Sequence, residues 1–459
     1  MRISSAEFKE LYFELITTII PGPASWSYLV PIVLLPLGLL VPPSVLSHGQ
    51  LCAVILPISI VATIHAWQAL GSNDVISTDT LYLTLFLYFF KDPRQDFRRV
   101  LRTTDQQTKN GKVPDTSTSS INRNKTDEDV PSDPRAVAFE VYPQTFTGRL
   151  TWATLLPQSR PLHDWIIGEP GHDRRVLKPF QHPSRLEFMI EIMSRLSLVP
   201  LIFLPLSKQL TAHDPYFSDP TWSIFGPYGV DQSNGGRIVT VLRNSIPAFI
   251  LRPMAITMYA YSLLLCLFLP PMLIVLLLNA LRLISDTWSP HTWRPHFGPF
   301  SAIARHGVRG FWGRWWHQQM RHIVAEPGRW VARKIGLKDE GPQKTVKYML
   351  ICVSAFTLSG ITHSGMVPPK PKWATVDASE LRTSLAGFFW VQPVGIAFEL
   401  FLLEPALRRL PASIRHLQVL LRVLWTVAFI CFSCTFLVLP FGQLGYWNIV
   451  PSRYLPRLF

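Results

Sequence analysis

The chain has 459 residues, of which 48% are hydrophobic and only 16% charged, with a formal net charge of +14, whereas an ordinary soluble domain carries about 25% charged residues. Its mean hydropathy is positive, +0.20, and the apolar residues gather in long runs instead of amphipathic stripes, which excludes a string of soluble domains. The excess of positive charge sits in loops between those runs, a pattern of membrane proteins and not of nucleic-acid binders.

Taken in chain order, the runs are Trp26–Val41, Leu51–Leu70, Leu81–Phe90, Phe188–Leu206, Pro253–Ala280, Val346–Thr362, Thr383–Leu403 and Val419–Leu439. A spanning helix needs roughly 20 mostly apolar residues, with about 17 as a lower limit. The sequence therefore predicts an all-α integral membrane protein with about eight transmembrane helices and additional interfacial amphipathic helices. Leu81–Phe90 is short and has to borrow flanking residues. The first run starts late and lacks a small-residue cleavage site, so it reads as a span and not as a signal.

Residues 1–90 then hold the N-terminal spans, 91–187 a basic loop, 188–280 central spans with a loop on the other side, and 281–459 the remaining spans. Alternate loops (Phe90–Glu187, Leu281–Thr345 and Leu403–Gln418) contain 30 Lys and Arg, against ten on the opposite side. The positive-inside rule makes the basic loops cytosolic. Thr103–Pro134 is almost free of apolar residues and is expected to be disordered. Its sequon at Asn124 faces the cytosol and stays bare. The five cysteines all lie in apolar runs and read as small buried hydrophobes, Cys431 and Cys434 included. No residue pattern calls for a metal.

Three segments carry polar chemistry. In "GFWGRWWHQQMRH" (Gly310–His322), a helix at 100° per residue places Arg314, His317, Gln318 and Arg321 on one face and Trp312, Trp315, Trp316 and Gln319 on another. Such a helix suits an interfacial anchor with tryptophans at headgroup level. Equally, its arginines suit a phosphorylated substrate, through bidentate guanidinium contacts. In "SAFTLSGITHSGM" (Ser354–Met366), His363 is an ionisable group at membrane depth, a catalytic base or a structural histidine. Gly360, one turn earlier, allows close approach of another helix or of substrate. In "GFFWVQPVGIAFELFLLEP" (Gly387–Pro405), Gln392, Glu399 and Glu404 interrupt an apolar run, and Glu399 needs a partner, an arginine or His363.

The ordered series "DPRQDFRR" (Asp92–Arg99), "RPHFGPF" (Arg294–Phe300), "RGFWGRWWHQ" (Arg309–Gln318), "SGITH" (Ser359–His363) and "FFWVQPVGIAFE" (Phe388–Glu399) resembles the wax-synthase-like branch of the membrane-bound O-acyltransferases. The similarity is to fungal members that acetylate terpenoid and polyketide–terpenoid metabolites. It implies that Trp312, Arg314, Trp316 and His317 belong to the active chamber and that His363 is the catalytic histidine, making 281–459 the catalytic region. The family commonly has Glu after this histidine, whereas here it is Ser364, so another group has to orient the imidazole. Glu399 is the candidate.

The expected reaction is direct acyl transfer from acetyl-CoA, a co-substrate and not a permanently bound cofactor, to a hydrophobic alcohol arriving through the bilayer, in the endoplasmic reticulum. His363 takes the hydroxyl proton, with His317 and Glu399 in support. Trp or Arg side chains of 309–321 stabilise the oxyanion, and Arg309, Trp312, Arg314, Trp316 and Arg321 meet coenzyme A. A full crossing by Val346–Thr362 puts His363 on the far side from the arginine loop, which requires a tilted or re-entrant helix or a tunnel. Other readings are a long-chain wax-ester synthase, a membrane terpene cyclase and a non-enzymatic transporter with Glu191 and Glu399 in a polar pathway.

Overall fold

The computed structural model describes residues 26–70, 73–100, 139–158, 165–167, 184–212, 214–217, 219, 222–228, 236–284, 297–316, 318, 320–371, 374–414 and 417–448. The stretch expected to be disordered, Asn124, Arg294–His296 of the "RPHFGPF" motif and His317 lie outside them.

The chain begins with α1 (Trp26–Leu40), α2 (His48–Leu70) and α3 (Val75–Thr84), the last prolonged by a π-helical turn, Leu85–Phe90. Next come β1 (Phe97–Val100), β2 (Phe139–Glu140), α4 (Phe146–Gln158) and β3 (Trp165–Ile167). Then α5 (Arg185–Leu198) passes through a π-helical turn, Val199–Phe203, into α6 (Leu204–Ala212), followed by α7 (Gly236–Ser245) and the long α8 (Ala248–Ala280). The second half holds α9 (Ser301–Gly310), α10 (Arg321–Lys334), α11 (Gly341–Ser364), α12 (Ala378–Trp390), α13 (Gln392–Phe398), α14 (Glu404–Arg408) and α15 (Leu417–Gln443).

Six helical stretches are long and apolar enough to cross a membrane: His48–Ala69, Arg185–Ala212, Ala248–Ala280, Gly341–Ser364, Ala378–Arg408 and Leu417–Gln443. Each contains one of the eight runs, nearly whole. The other two runs form shorter apolar helices, Ser27–Leu40 and Val75–Phe90; at about 1.5 Å per residue, neither spans the roughly 30 Å of hydrocarbon unaided. The chain is thus a multi-pass helical membrane protein with six span-length helices among the described residues. Leu267, Ile274 and Leu277 of α8 point outward, as a hydrocarbon surround permits.

One element departs from the all-α expectation. Strands β2, β1 and β3 form a small antiparallel sheet, with Arg99 opposite Glu140 and Phe97 opposite Ile167. Its buried face carries Phe97 and Trp165, and Trp165 meets Trp152 of α4 edge to face at 4.6 Å. The strands are two to four residues long, too short for an alternating pattern to show in the sequence.

In the second half, α11 packs between α10 and α12, and α15 packs on both α9 and α12. The buried Glu326 of α10 binds Lys91 at 3.1 Å and Arg333 at 2.7 Å, tying α10 to the end of the α3 helix. Burial pushes the Glu326 carboxyl up, but these cations outweigh it and hold the group below its ordinary value.

The segment between α6 and α8 folds around a single guanidinium. Arg252, 1% exposed, donates to both carboxylate oxygens of Asp214 at 2.7 and 2.8 Å and to the carbonyls of Ser223, Ile224, Gly226 and Pro227 at 2.8–3.1 Å. It also lies over the Tyr216 ring at 4.9 Å. Removing one partner of a buried pair costs about 3–5 kcal/mol, because the other charge stays buried. Arg252→Ala is therefore expected to lower the melting temperature of the detergent-solubilised protein sharply. Arg252→Lys should rescue little, since an ammonium cannot reproduce the planar fork; a melting temperature unchanged in both variants would refute this role.

Candidate active site

A single amphipathic helix through Gly310–His322 is not what forms. Residues Phe311–Trp315 make a π-helical turn, and Trp316 is extended (φ −75°, ψ 133°). The chain folds back so that the Gly298 N–H donates to the Trp315 carbonyl at 2.9 Å. This turns the tryptophans inward: Trp315 is buried against Phe297, Phe300 and Tyr261, while Trp312 and Trp316 pack on the same core. The single helix with one face of tryptophans turned to lipid is thereby corrected: the aromatic rings pack on one another and on the helices around them.

The fold-back depends on Gly307. Its φ of 60° and ψ of −138° break the helical path of α9, a backbone region open essentially to glycine. The break frees the Val308 N–H, which donates to Glu399 Oε2 at 2.7 Å, while Arg309 Nε donates to Glu399 Oε1 at 2.9 Å. A Cβ on residue 307 would meet Glu399 Oε2 at 2.5 Å. Arg309 also reaches Glu404 at 3.8 Å, and Glu404 takes Arg422 at 2.7 and 3.1 Å. A carboxylate 0% exposed demands such partners.

Glu399 therefore has an arginine for a partner and does not orient His363. Val308, the next residue along, clusters with Cys352 of α11, and Cys352 precedes His363 by eleven residues, roughly 16 Å along a helix axis. Arg309 is likewise committed to Glu399 and Glu404, so it is not the free phosphate ligand expected.

His363 lies in the last turn of α11, half-buried. Its Nδ1 is 2.8 Å from the Ser359 carbonyl, one turn back. A carbonyl only accepts, so Nδ1 carries a proton, and in the neutral ring Nε2 then keeps its lone pair. The ring stacks on Phe389 of α12, centroids 4.1 Å apart. Gly360 has no Cβ where the Trp390 indole passes, so α12 approaches closely. Ser364 donates to the Ile361 carbonyl at 2.7 Å; the helix's own backbone, and not a following side chain, fixes the imidazole.

Phe389 joins the two motif segments. Trp312 meets Phe389 at 6.1 Å, Phe388 at 5.9 Å and Phe356 at 5.4 Å. The Trp312 indole N–H donates to Gln392 Oε1 at 2.8 Å, and Gln392, 0% exposed, donates to the Phe388 carbonyl at 2.6 Å. That N–H is spent, so Trp312 is not an oxyanion donor in this arrangement. Gln318 donates to the carbonyls of Trp312 and Trp316, and Arg321, exposed, to Gln318 at 3.5 Å.

Arg314 is exposed and lies 2.7 Å from His306 Nε2. Since a guanidinium only donates, that nitrogen is unprotonated. Sequence reading named none of His306, Phe389 and Asn73 (which bonds the end of α11); Phe389 lies within the quoted "FFWVQPVGIAFE" motif and His306, beside Arg305 and Arg309, is a histidine within a basic segment, whereas Asn73 left no signal.

A multi-pass helical membrane protein with a tautomer-fixed histidine at one end of a span, against an aromatic cluster from a folded-back segment, is the class that fold and site define. Residues 293–378, which hold both that segment and His363, match the model of the Membrane bound O-acyl transferase family. Among curated proteins, the chain is 32% identical to Acetyltransferase ple2 of Rhodocybe pseudopiperita over 34% of this chain and 39% of the relative. It is 36% identical to Acetyltransferase nanB of Aspergillus nanangensis over 16% of this chain and 17% of the relative, and 27% identical to Acetyltransferase cdmC of Talaromyces verruculosus over 26% and 36%. The matches span well under half the length of these relatives. No solved structure matches the chain. The resemblance read from the motif series is borne out.

Burial pushes the His306 imidazole below its ordinary value, and Arg314, Arg309, Arg422 and Arg305 act in the same direction. A group depressed in the folded state contributes stability that is present above its unfolded value, 6.5, and is lost as pH falls through the folded one. Melting curves should therefore coincide for wild type and His306→Gln at about pH 8 and diverge below about pH 6.5, the wild type losing more. Equal losses in the two proteins would contradict the assignment.

Proposed function

We propose that the chain is a membrane-bound O-acetyltransferase of the endoplasmic reticulum that moves the acetyl group of acetyl-CoA to a hydroxyl of a hydrophobic terpenoid or meroterpenoid alcohol. The observation that carries this reading is the imidazole of His363: Nδ1–H on the Ser359 carbonyl, Nε2 available, the ring braced on Phe389 beside Trp312. An imidazole fixed in this tautomer is a general base for a hydroxyl. Nε2 takes the alcohol proton as the oxygen attacks the thioester carbonyl. The C–S bond of the tetrahedral intermediate then breaks, and the imidazolium returns a proton to the departing thiolate, so that ester and free coenzyme A leave and the histidine is neutral again.

The apolar surroundings favour this chemistry by keeping the acceptor dry and the acyl donor from hydrolysis. Arg314 and Arg321, both exposed, supply charge for the coenzyme A phosphates. Arg309 and Glu399 have a different part, holding the folded-back segment in place. His317 enters the reading through the motif alone. The arginine-bearing segment meets α11 at Cys352, roughly 16 Å along the helix axis from His363; the pantetheine arm would reach the base by running alongside this stretch of the helix.

Membranes from cells expressing the chain should transfer label from acetyl-CoA to at least one alcohol in a panel of terpenoid and meroterpenoid substrates. His363→Ala should lower that rate about 10²–10⁴-fold, the worth of a general base, at unchanged protein level. A wild type that labels no ester, or a His363→Ala variant of full activity, would end this reading; retained transport by that variant would favour a transporter.

A further inference from the structure

We infer that Asn73 is a positioning residue for His363; its catalytic consequence rests on the acyl-transfer reading above. At the end of α11 the Gly365 N–H turns to the Thr362 carbonyl at 3.2 Å, and Met366 and Val367 continue the tightened pattern onto His363 and Ser364 at 2.9 and 3.1 Å. The Ile361 carbonyl thereby loses its regular helical donor. Asn73 Nδ2 donates to that carbonyl at 2.6 Å and to Ser364 Oγ at 3.3 Å, from 288 and 291 residues away in sequence. These contacts bracket His363 without touching it.

Asn73 is itself anchored. Its neighbour Asp74, fully buried, caps α3 by accepting the Ser77 N–H at 2.9 Å and also accepts the Tyr28 hydroxyl at 3.1 Å. Tyr82, two turns into α3, hydrogen-bonds Thr362. The start of α3 is thus fastened to residues 361, 362 and 364 of α11. From the other side the Tyr446 hydroxyl donates to the Met366 carbonyl, and Arg382 donates to that of Val367 at 3.2 Å.

The chemical consequence follows from the Nδ1 bond. Ser359 can hold Nδ1–H only while the last turn of α11 stays helical, and helix ends fray when their carbonyls lack partners. Asn73 supplies a donor at the position where the regular ladder stops, alongside the local Ser364 hydroxyl, and is the one that ties this carbonyl to another helix. Without it, the turn loosens, the imidazole leaves Phe389, and Nε2 is no longer held towards the hydroxyl.

Asn73→Asp keeps the size of the side chain and removes the donor; Ser364→Ala leaves Asn73 on the Ile361 carbonyl but removes the hydroxyl that takes the second Asn73 contact and itself bonds that carbonyl, serving as the test if the first variant does not fold. With purified protein in nanodiscs, the rate of His363 carbethoxylation by diethyl pyrocarbonate, read by mass spectrometry, should rise in either variant while other histidines react as before. In acetyl transfer, kcat should fall about 10- to 100-fold, the cost of a slightly misplaced group, with KM for both substrates unchanged and the pH profile shifted. An unchanged His363 reactivity overturns the inference, as does a rise in KM at constant kcat, which would make Asn73 a substrate contact. If His363 reactivity rises but even the wild type transfers no acetyl group, the positioning stands and the acyl-transfer reading falls.

Discussion

A carboxylate cannot be buried between helices without donors that stay in place, and Glu399 shows what that constraint does to a whole segment. Its two oxygens take a backbone N–H from Val308 and the Arg309 guanidinium. The first of these exists because Gly307 breaks the helix, and the second because Arg309 lies one residue further on. Through Glu404 and Arg422 the network extends to α15. Together these contacts seat the 297–316 segment against the helices of the second half, where Trp312 reaches Phe389. The level of charge and the level of the histidine are thus separate, joined by aromatic packing.

That separation makes chemical sense of the site. A base acting on an alcohol needs a neutral imidazole, a fixed tautomer and little competing water. The Arg309–Glu399 pair sits beside Val308, which packs at Cys352, about three turns of α11 before His363, and the imidazole is left stacked on Phe389, which Trp312 also meets. Among the described residues, the imidazole's only direct hydrogen bond is to a carbonyl of its own helix. Orientation by backbone needs no second ionisable group, which is why a serine can follow the histidine. Rigidity of the helix end then becomes the requirement, met by side chains from three distant parts of the chain.

Several features were legible from residue order alone. All eight apolar runs are helical, and the short Leu81–Phe90 run borrows Val75–Thr80, as its length demanded. Gly360 serves close approach, as its place one turn before His363 suggested. The partner of Glu399 was narrowed to two options, one of which is observed. What escaped was the break at Gly307: a glycine within an apparently regular helical stretch gives no sign that its φ is positive, because the cause is a carboxylate 92 residues downstream. The same holds for the sheet, whose outer strand pairs with residues about seventy positions away.

The sequence by itself determined the membrane, the helices and the motif residues, because apolar runs and ordered polar interruptions are local properties of the chain. Only the tertiary structure decided which polar groups meet. Arg309 chose Glu399, Trp312 chose Gln392, and Asn73 chose the end of α11, since each pairing depends on where three or more helices place their backbones. Burial makes each such choice compulsory, because a polar group without a partner there is costly, and the chain order carries no record of who the partner will be.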